Sequence, residues 1–199
     1  IGESTLKIIK ENKSHFDIEL LTANNNYKKL IKQSKLFRPR NIYIKNIKYL
    51  NLVKKKLKNH KVKVYSGDKP LNNIIKGKLD YTMSSIVGIA GLQPTLEAIK
   101  FSKVVAIANK ETIICGWEVI SKYIKKYKTK ILPIDSEHFS IQELTKKVTD
   151  DDIKEIIITA SGGPFLNFSK RKLKYVKPKD AIKHPNWKMG KKISIDSAT

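Results

Sequence analysis

Two carboxylates stand two positions apart directly after an apolar segment, residues 130–134: Asp135 and Glu137 enclose Ser136. In an extended chain, side chains two residues apart point the same way, so both carboxylates can aim at one point. Two hard oxygen ligands at the end of a strand suit Mg²⁺ or Mn²⁺. The same residues are also typical of a solvated turn in which Ser136 caps a helix over residues 139–148. Taken alone, this segment leaves both interpretations open.

Further groups able to bind a ligand lie in the last forty residues. Ser161 follows a predicted strand over residues 154–159 and precedes two glycines. A hydroxyl beside unhindered backbone N–H groups can bind an anion. The same residues can also form a plain turn. Residues 184–190 place a histidine, a tryptophan and a methionine in one short loop bounded by proline and glycine, a pattern typical of a lid. A strand is predicted over residues 192–195, followed by the hydroxyl of Ser197.

The elements that must position these side chains alternate between strands and helices. The predicted strands are residues 16–22, 41–44, 62–65, 79–83, 104–108 and 130–134, and the predicted helices are residues 2–10, 26–36, 47–57, 71–75, 95–101 and 111–127. Such alternation predicts an α/β fold with a mostly parallel, Rossmann-like sheet and helices on both faces. Ligands bind such sheets outside the carboxyl ends of the strands, where residues 24–26, 109–111 and 135–137 all fall.

Composition favours a globular protein of 199 residues whose net charge is +23. That charge invites a nucleic-acid interpretation, but only three residues are arginine, and the lysines are spread over the predicted helices instead of being gathered in one stripe, so we expect no nucleic-acid partner. No apolar run reaches about 18 residues, so we expect no membrane span. The sequence opens without methionine and closes without signs of a natural terminus, so we expect a fragment at both ends.

The longest predicted helix, residues 111–127, carries the single cysteine. One cysteine excludes a disulfide framework and favours a reducing compartment. We expect Cys115 to be a small packed residue rather than a nucleophile. We also expect one face of this helix to be buried, formed by Ile113, Ile114, Trp117, Ile120 and Ile124.

Five segments together resemble one family, the 1-deoxy-D-xylulose 5-phosphate reductoisomerases: residues 86–95, 108–112, 132–138, 159–165 and 184–199. They occur in the family's order and at compatible spacing, and the resemblance covers essentially the whole sequence. It lacks the family's N-terminal strand and most of its glycine-rich loop, and it stops within the catalytic domain. The resemblance implies an NADPH-binding Rossmann-like domain over residues 1–134 and the start of an α+β catalytic domain over residues 135–199.

The same resemblance implies an oxidoreductase with an isomerase step in isoprenoid precursor biosynthesis, on the methylerythritol phosphate pathway. NADPH and Mg²⁺, Mn²⁺ or Co²⁺ would support conversion of 1-deoxy-D-xylulose 5-phosphate to 2-C-methyl-D-erythritol 4-phosphate. Asp135 and Glu137 would be two of three metal ligands, with the third beyond Thr199. The catalytic residues would be Lys110, Glu137 and His184. The substrate contacts would be Lys110, Ser136, Glu137, Ser161, His184, Trp187, Met189 and Ser197, with Ser161 and Ser197 at the phosphate.

For the cofactor, the resemblance points to Ile1, Asn24, Asn25, Asn26, Asn109, Glu111 and Gly190. The pyrophosphate of NADPH should lie at the N-terminus of the first helix, where free N–H groups and the helix dipole favour an anion. One departure concerns the 2′-phosphate of NADPH. The family has glycine followed by lysine or arginine where this chain has Asn24 and Asn25, so no cation stands there; Lys28 or Lys29 could substitute.

Two alternatives stay open: another nicotinamide-dependent dehydrogenase on the same fold, which would not need the acidic pair, and a basic nucleic-acid-binding module. From the family we expect a homodimer acting on a small phosphorylated sugar, without nucleic acid or membrane as a partner. We expect a cytoplasmic bacterial location, and a plastid-type organelle stays open.

Overall fold

The computed structural model describes residues 1–67, 71–159, 162–188 and 190–197. The chain divides into two compact units, residues 1–139 and 140–199, and each is described by itself. The strands of the first unit are β1 (Leu20–Ala23), β2 (Asn41–Ile44), β3 (Lys63–Ser66), β4 (Leu79–Ser84), β5 (Ser102–Ile107) and β6 (Lys130–Pro133). Its helices are α1 (Gly2–Glu11), α2 (Tyr27–Phe37), α3 (Leu50–Lys56), α4 (Leu92–Phe101), α5 (Lys110–Tyr127) and the start of α6 (Ser136–Thr145).

All strand pairs in the first unit are parallel, which confirms the predicted α/β fold. The strands form two three-stranded sheets, in the order β1-β2-β3 and β4-β5-β6, instead of one continuous sheet among the described residues. Leu20 pairs with Asn41 in the first sheet, and Leu79 pairs with Ser102 in the second. Parallel strands need helical crossovers, and these helices cover both faces of the sheets.

Each sheet has its own apolar core. In the first, Ile42 and Ile44 of β2 are fully buried against residues of α2 and α3. In the second, Val105 of β5 and Ile120 of α5 are fully buried beside Ile99 of α4. Complete burial of one such side chain contributes about 1.5–3 kcal/mol, so the two cores hold the strand ends in fixed positions.

The buried face of α5 differs from the prediction. Ile114 is 76% exposed, Trp117 is 53% exposed, and Cys115 is exposed instead of packed. The buried stripe instead runs through Thr112, Gly116 and Ile120. The cause is the contact with α4, because a Cβ added at Gly116 would collide with a methyl group of Leu92. The smallest residue therefore selects the face that lies against α4.

The second unit contains little regular structure. Its elements are the end of α6, a 3₁₀ turn at Asp150–Asp152, α7 (Lys170–Leu173), α8 (Pro178–Ala181) and α9 (Lys191–Asp196). The strand predicted over residues 154–159 is not formed, and Ile157 is 73% exposed. The strand predicted over residues 192–195 was wrong, because this segment is α9. An apolar run becomes a strand only where a neighbouring strand accepts its backbone hydrogen bonds, and neither segment has one among the described residues.

No helix in the described part of the chain is both long enough and apolar enough to span a lipid bilayer.

Candidate functional site

The acidic pair lies at the junction between β6 and α6. Asp135 follows the strand, and its Oδ1 accepts a hydrogen bond from the backbone N–H of His138 at 2.9 Å. Its carbonyl oxygen accepts from the N–H of Phe139 at 3.1 Å. Asp135 therefore caps α6, and Ser136, which the turn interpretation placed at the cap, is the first helical residue.

Hydrogen bonds hold the Asp135 carboxylate in its ionised form. Its Oδ1 also lies 2.6 Å from Nδ1 of His138. Partial burial opposes ionisation, but the backbone and ring hydrogen bonds from His138 outweigh it and hold the pKa of Asp135 below its usual range. Both hydrogen bonds from His138 use Oδ1, so neither of them occupies the second oxygen, Oδ2, which can bind a cation.

Glu137 is exposed, and its neighbours also favour the charged form. Its own backbone N–H and the hydroxyl of Ser136, 2.9 Å from Oε2, hold the pKa of Glu137 below its usual range. The negative charge of Asp135 opposes this shift, whereas the positive charge of Lys110 supports it. These residues therefore lie close enough to act on one another, and at neutral pH the pair carries two negative charges beside one cation.

Lys110 is brought to this edge by the end of β5. It is the exposed first residue of α5, and Ile134, just after β6, donates its N–H to the carbonyl of Ile107 at 3.1 Å. The two strand ends are thus neighbours. The structure brings the predicted residues Lys110, Ser136 and Glu137 to one edge with Asp135, as expected for the carboxyl ends of parallel strands.

Asn109 is 3% exposed, and internal contacts use its whole side chain. Its Oδ1 accepts from the N–H of Thr112 at 3.2 Å, which caps α5. Its Nδ2 donates to the carbonyl oxygens of Ile86 and Gly88, the latter at 2.7 Å. A Cβ added at Gly91 would lie 2.5 Å from this Nδ2. The side chain of Asn109 therefore joins the loop after β4 to the start of α5, and the predicted contact of this residue with the cofactor stays a prediction.

The N-terminus of α1 lies against the end of β4. A Cβ on Gly2 would stand 2.9 Å from the hydroxyl of Ser85, so glycine permits this close approach. Ile1 precedes the helix, and its carbonyl accepts the N–H of Thr5 at 2.9 Å. A helix N-terminus at the carboxyl edge of a sheet favours an anion such as a pyrophosphate.

The loop after β1, residues 24–26, makes several hydrogen bonds within the protein. Asn26 caps α2, since its Oδ1 accepts from the N–H of Lys29 at 3.1 Å. Asn25 accepts a hydrogen bond at 2.8 Å from Nδ2 of Asn46, which follows β2. Lys29 forms an ion pair with Glu3. Of the two lysines proposed to replace the missing cation, Lys29 is therefore already paired.

Sequence reasoning missed Asn46 as part of this loop. The signal was present, because an asparagine between a predicted strand and a predicted helix, directly before the helix, is typical of a cap. Its contact with Asn25 joins residues 21 positions apart, and only the pairing of β1 with β2 brings them together.

Other predicted residues belong to the second unit. Nδ1 of His184 accepts from the N–H groups of Asn186 and Trp187, at 3.2 and 3.0 Å, so the histidine shapes its own loop. The indole of Trp187 is 62% exposed. Ser197 donates to the carbonyl of Ser194 at 3.1 Å. Gly190 precedes α9, and Ser161 and Met189 lie outside the described residues.

The donor set fits a divalent cation in part. Oδ2 of Asp135 and the carboxylate of Glu137 are hard, ionised oxygens, the ligand type that Mg²⁺ and Mn²⁺ take. Within residues 1–67, 71–159, 162–188 and 190–197, no three His, Cys, Asp or Glu side chains cluster as one metal site.

Glu111, predicted to bind the cofactor, lies in the first turn of α5 and is half-buried.

Comparison with protein families gives two matches. Residues 1–117 match the family described as 1-deoxy-D-xylulose 5-phosphate reductoisomerase, and residues 131–199 match the C-terminal domain of the same enzyme.

Individual relatives agree with these matches. Over its full length the chain is 55% identical to the reductoisomerase of Pelagibacter ubique and 43% identical to that of Buchnera aphidicola, covering 52% and 53% of those proteins. The Zymomonas mobilis enzyme in complex with NADPH superposes with a TM-score of 0.87 at 35% identity, over 99% of this chain and 50% of that one. A reductoisomerase in complex with NADPH, fosmidomycin and magnesium superposes with a TM-score of 0.81. The chain thus spans about half the length of the relatives it matches.

Proposed function

Because the chain belongs to the 1-deoxy-D-xylulose 5-phosphate reductoisomerase family, we propose that this protein converts 1-deoxy-D-xylulose 5-phosphate to 2-C-methyl-D-erythritol 4-phosphate with NADPH and a divalent metal. The reaction would supply isoprenoid precursors on the methylerythritol phosphate pathway. The observation that carries the proposal is the ionised pair Asp135 and Glu137 beside Lys110, at the carboxyl edge of the sheet.

Asp135 and Glu137 would hold Mg²⁺, Mn²⁺ or Co²⁺. Their lowered pKa values keep both carboxylates charged at neutral pH, so no proton must leave before a cation binds. His138 fixes the Asp135 side chain through Oδ1, which supports a fixed direction for Oδ2. When bound, the metal ion supplies Lewis-acid chemistry at carbonyl and hydroxyl oxygens of the substrate.

Lys110 would bind the polar head of the substrate and stabilise negative charge that develops on its oxygens. Its position at the N-terminus of α5 is fixed by Asn109, whose three hydrogen bonds leave the start of this helix little freedom. Ser136 adds a hydroxyl beside Glu137. These residues lie on element ends that two buried cores hold in place, which favours preorganisation.

The remaining substrate contacts would come from the second unit. His184 orders the loop that carries Trp187, and the exposed indole is available to cover a ligand and exclude water. The hydroxyls of Ser161 and Ser197 would bind the phosphate, and Met189 would pack beside Trp187. The roles of Ser161 and Met189 rest on the family resemblance alone.

NADPH, which supplies a hydride, would lie along the carboxyl edge of the sheets. The N-terminus of α1, after Ile1, supports binding of its pyrophosphate. Asn24, Asn25 and Asn26 would lie at the adenosine ribose, at the end of β1. The start of α5, with Asn109 and Glu111, and Gly190 would complete the contacts with the cofactor; for Asn109 the backbone would make this contact.

Assembly and location complete the proposal. We propose that the protein is a homodimer acting on a small phosphorylated sugar, in the bacterial cytoplasm or a plastid-type organelle. Light scattering coupled to gel filtration measures the assembly directly, and a single-chain mass at micromolar concentration would exclude the dimer.

The test is the oxidation of NADPH by the purified protein, followed at 340 nm. We expect oxidation only when 1-deoxy-D-xylulose 5-phosphate and Mg²⁺ or Mn²⁺ are both present, and one 2-C-methyl-D-erythritol 4-phosphate formed per NADPH consumed. EDTA should abolish the reaction, and added metal should restore it. Activity that survives EDTA would favour a metal-independent dehydrogenase, and no turnover with any divalent metal would exclude the proposal.

A further inference from the structure

On the proposed function, the ribose of a nicotinamide cofactor would lie at the loop after β1, and the inference drawn from this loop rests on that function. In parallel sheets of this class, an acidic residue at this place hydrogen-bonds the ribose 2′-hydroxyl of NADH, whereas an arginine accommodates the 2′-phosphate of NADPH. Here the loop residues are the neutral amides Asn24, Asn25 and Asn26. The sequence at this position therefore follows neither pattern.

A chain of hydrogen bonds fixes the orientation of the middle amide. The backbone N–H of Lys48 lies 3.1 Å from one side-chain atom of Asn46, and because an N–H only donates, that atom is the oxygen. The other atom of Asn46 is then the amino nitrogen, which donates to Asn25 at 2.8 Å. The atom of Asn25 that receives this bond is its oxygen. The amino group of Asn25 therefore points away from Asn46.

The neighbours of Asn25 leave its amino group for a ligand. The side chain of Asn26 is occupied at the start of α2, where it accepts from the N–H of Lys29. The backbone on both sides is also fixed: Asn46 donates its N–H to the carbonyl of Asn24 at 3.2 Å, and Lys45 donates to Ala23 at 2.9 Å. The side chain of Asn25 is thus exposed with its amino group directed away from Asn46, where it can donate hydrogen bonds to a ligand.

The charges around the loop are compatible with a phosphate. The loop contains no carboxylate that would repel it, and Glu3, which reaches α2 from α1, is neutralised by its ion pair with Lys29. Lys28 and Lys45 are exposed and add positive charge on either side. A hydrogen bond from a neutral donor to an anion is about twice as strong as one to a neutral acceptor, so the amide favours a phosphate over a hydroxyl.

We propose that Asn46 is a positioning residue for nucleotide specificity. It holds Asn25 with its amino group outward, so that a neutral donor instead of a cation recognises the 2′-phosphate of NADPH. The predicted preference for NADPH over NADH is modest, on the order of tenfold, because one charge-assisted hydrogen bond separates the two cofactors.

Calorimetric titration of the full chain with NADPH and NADH tests this proposal without turnover. In Asn46→Asp, both carboxylate oxygens accept, so Asn25 must turn its amino group inward. The introduced carboxylate still accepts from the N–H of Lys48 and keeps the local fold. We expect NADPH affinity to fall about tenfold or more and NADH affinity to change less than about threefold. Asn25→Lys should raise the preference for NADPH about tenfold.

Two further variants distinguish the orientation of the Asn25 amide from an effect of added negative charge and from a contact of Lys28 with the phosphate. Asn51→Asp adds the same charge at an exposed position of α3 without touching Asn25, and we expect the ratio of the two affinities to stay as in the wild type. Lys28→Gln tests the cation directly. If Lys28→Gln lowers the ratio and Asn46→Asp does not, Lys28 recognises the phosphate and the proposal is overturned. Equal losses in Asn46→Asp and Asn51→Asp would assign the effect to charge and also overturn it.

The titrations also distinguish this proposal from the function on which it rests. A wild-type chain that binds both nucleotides with a ratio unchanged in Asn46→Asp contradicts only the role of Asn46. A wild-type chain that binds neither nucleotide contradicts the proposed reductoisomerase, and the specificity proposal falls with it.

Discussion

At the scale of single residues, the site is a pair of carboxylates held in their charged form by named donors. The backbone and ring of His138 lower the pKa of Asp135 against the effect of partial burial, and the backbone N–H of Glu137 and the hydroxyl of Ser136 lower that of Glu137. Two like charges so close together repel each other, and Lys110 offsets part of this repulsion. The pair is therefore suited to a cation.

The first residue-scale prediction concerns Glu137→Gln, which keeps the shape of the side chain and removes its charge. We expect kcat/KM to fall about 100-fold or more, because a lost metal ligand removes several kcal/mol of charge stabilisation. The metal concentration for half-maximal rate should rise as well. Glu143→Gln on the same helix, where Glu143 pairs with Lys146, is the control and should retain full activity.

The second prediction concerns pH. A carboxyl whose pKa is lowered by folding stabilises the fold above its unfolded pKa, and this contribution disappears as the pH falls through the folded pKa. His138→Ala removes the ring donor, so the pKa of Asp135 should rise and its contribution should be lost at higher pH than in the wild type. Carbon-13 NMR of the Asp135 carboxyl measures this in metal-free protein. An identical titration in both proteins would contradict the assigned cause.

At the scale of elements, two asparagines fix loops at the carboxyl edge of the sheets. Asn109 joins α5 to the loop after β4, and Asn46 joins the ends of β1 and β2. Both asparagines follow strands. The parallel sheet brings the strand ends to one edge, and the amides then fix the loops between them.

The element-scale prediction concerns Asn109→Ala. It leaves the carbonyl oxygen of Ile86 and the N–H of Thr112 without these partners, while the carbonyl of Gly88 keeps the N–H of Gly91. We therefore expect the free energy of unfolding to fall by about 2 kcal/mol. Urea denaturation followed by the fluorescence of Trp117 measures the loss in the first unit. Asn12→Ala removes an exposed cap of α1 and should cost less than about 1 kcal/mol. Equal losses would mean that Asn109 has no special role.

Close packing at the same loop gives a further prediction. A Cβ at Gly91 would lie 2.5 Å from Asn109 and 2.6 Å from the carbonyl of Ile86, and both neighbours are held in place. Gly91→Ala should therefore destabilise the protein by about 1–3 kcal/mol. At Gly190 an added Cβ meets no atom within 4 Å, so Gly190→Ala should leave the melting temperature almost unchanged. Thermal unfolding of both variants checks the difference.

Strand positions could be predicted from the sequence because parallel strands are continuous apolar runs between turn signals. The prediction failed where a partner decides the outcome. Residues 154–159 have the composition of a strand, but no neighbouring strand among the described residues accepts their hydrogen bonds. Residues 192–195 form a helix. On α5, Gly116 packs closely against Leu92, and the buried face of the helix therefore does not include Trp117. The hydrogen bonds from Asn46 to Asn25 and from Asn109 to Gly88 each join residues 21 positions apart, and no local pattern encodes them.

At the scale of the whole molecule, the chain spans about half the length of its relatives and divides into two units. The first contains the sheets, Lys110 and the acidic pair, and the second contains His184 and Trp187. The net charge of +23 gives a field that would attract the anionic ligands of the proposed function, NADPH and a sugar phosphate. Because this charge is spread over most of the helices, it would act at a distance, whereas the few residues at the strand ends would supply specificity.

The central claim is that Asp135 and Glu137 hold the divalent metal that the reaction needs. Electron paramagnetic resonance of added Mn²⁺ tests it directly, because bound Mn²⁺ loses the six-line signal of the free ion. We expect one bound Mn²⁺ per chain in the wild type, and at least a roughly tenfold weaker affinity in the double variant Asp135→Asn, Glu137→Gln. Equal binding by both proteins, or no binding by the wild type, would contradict it.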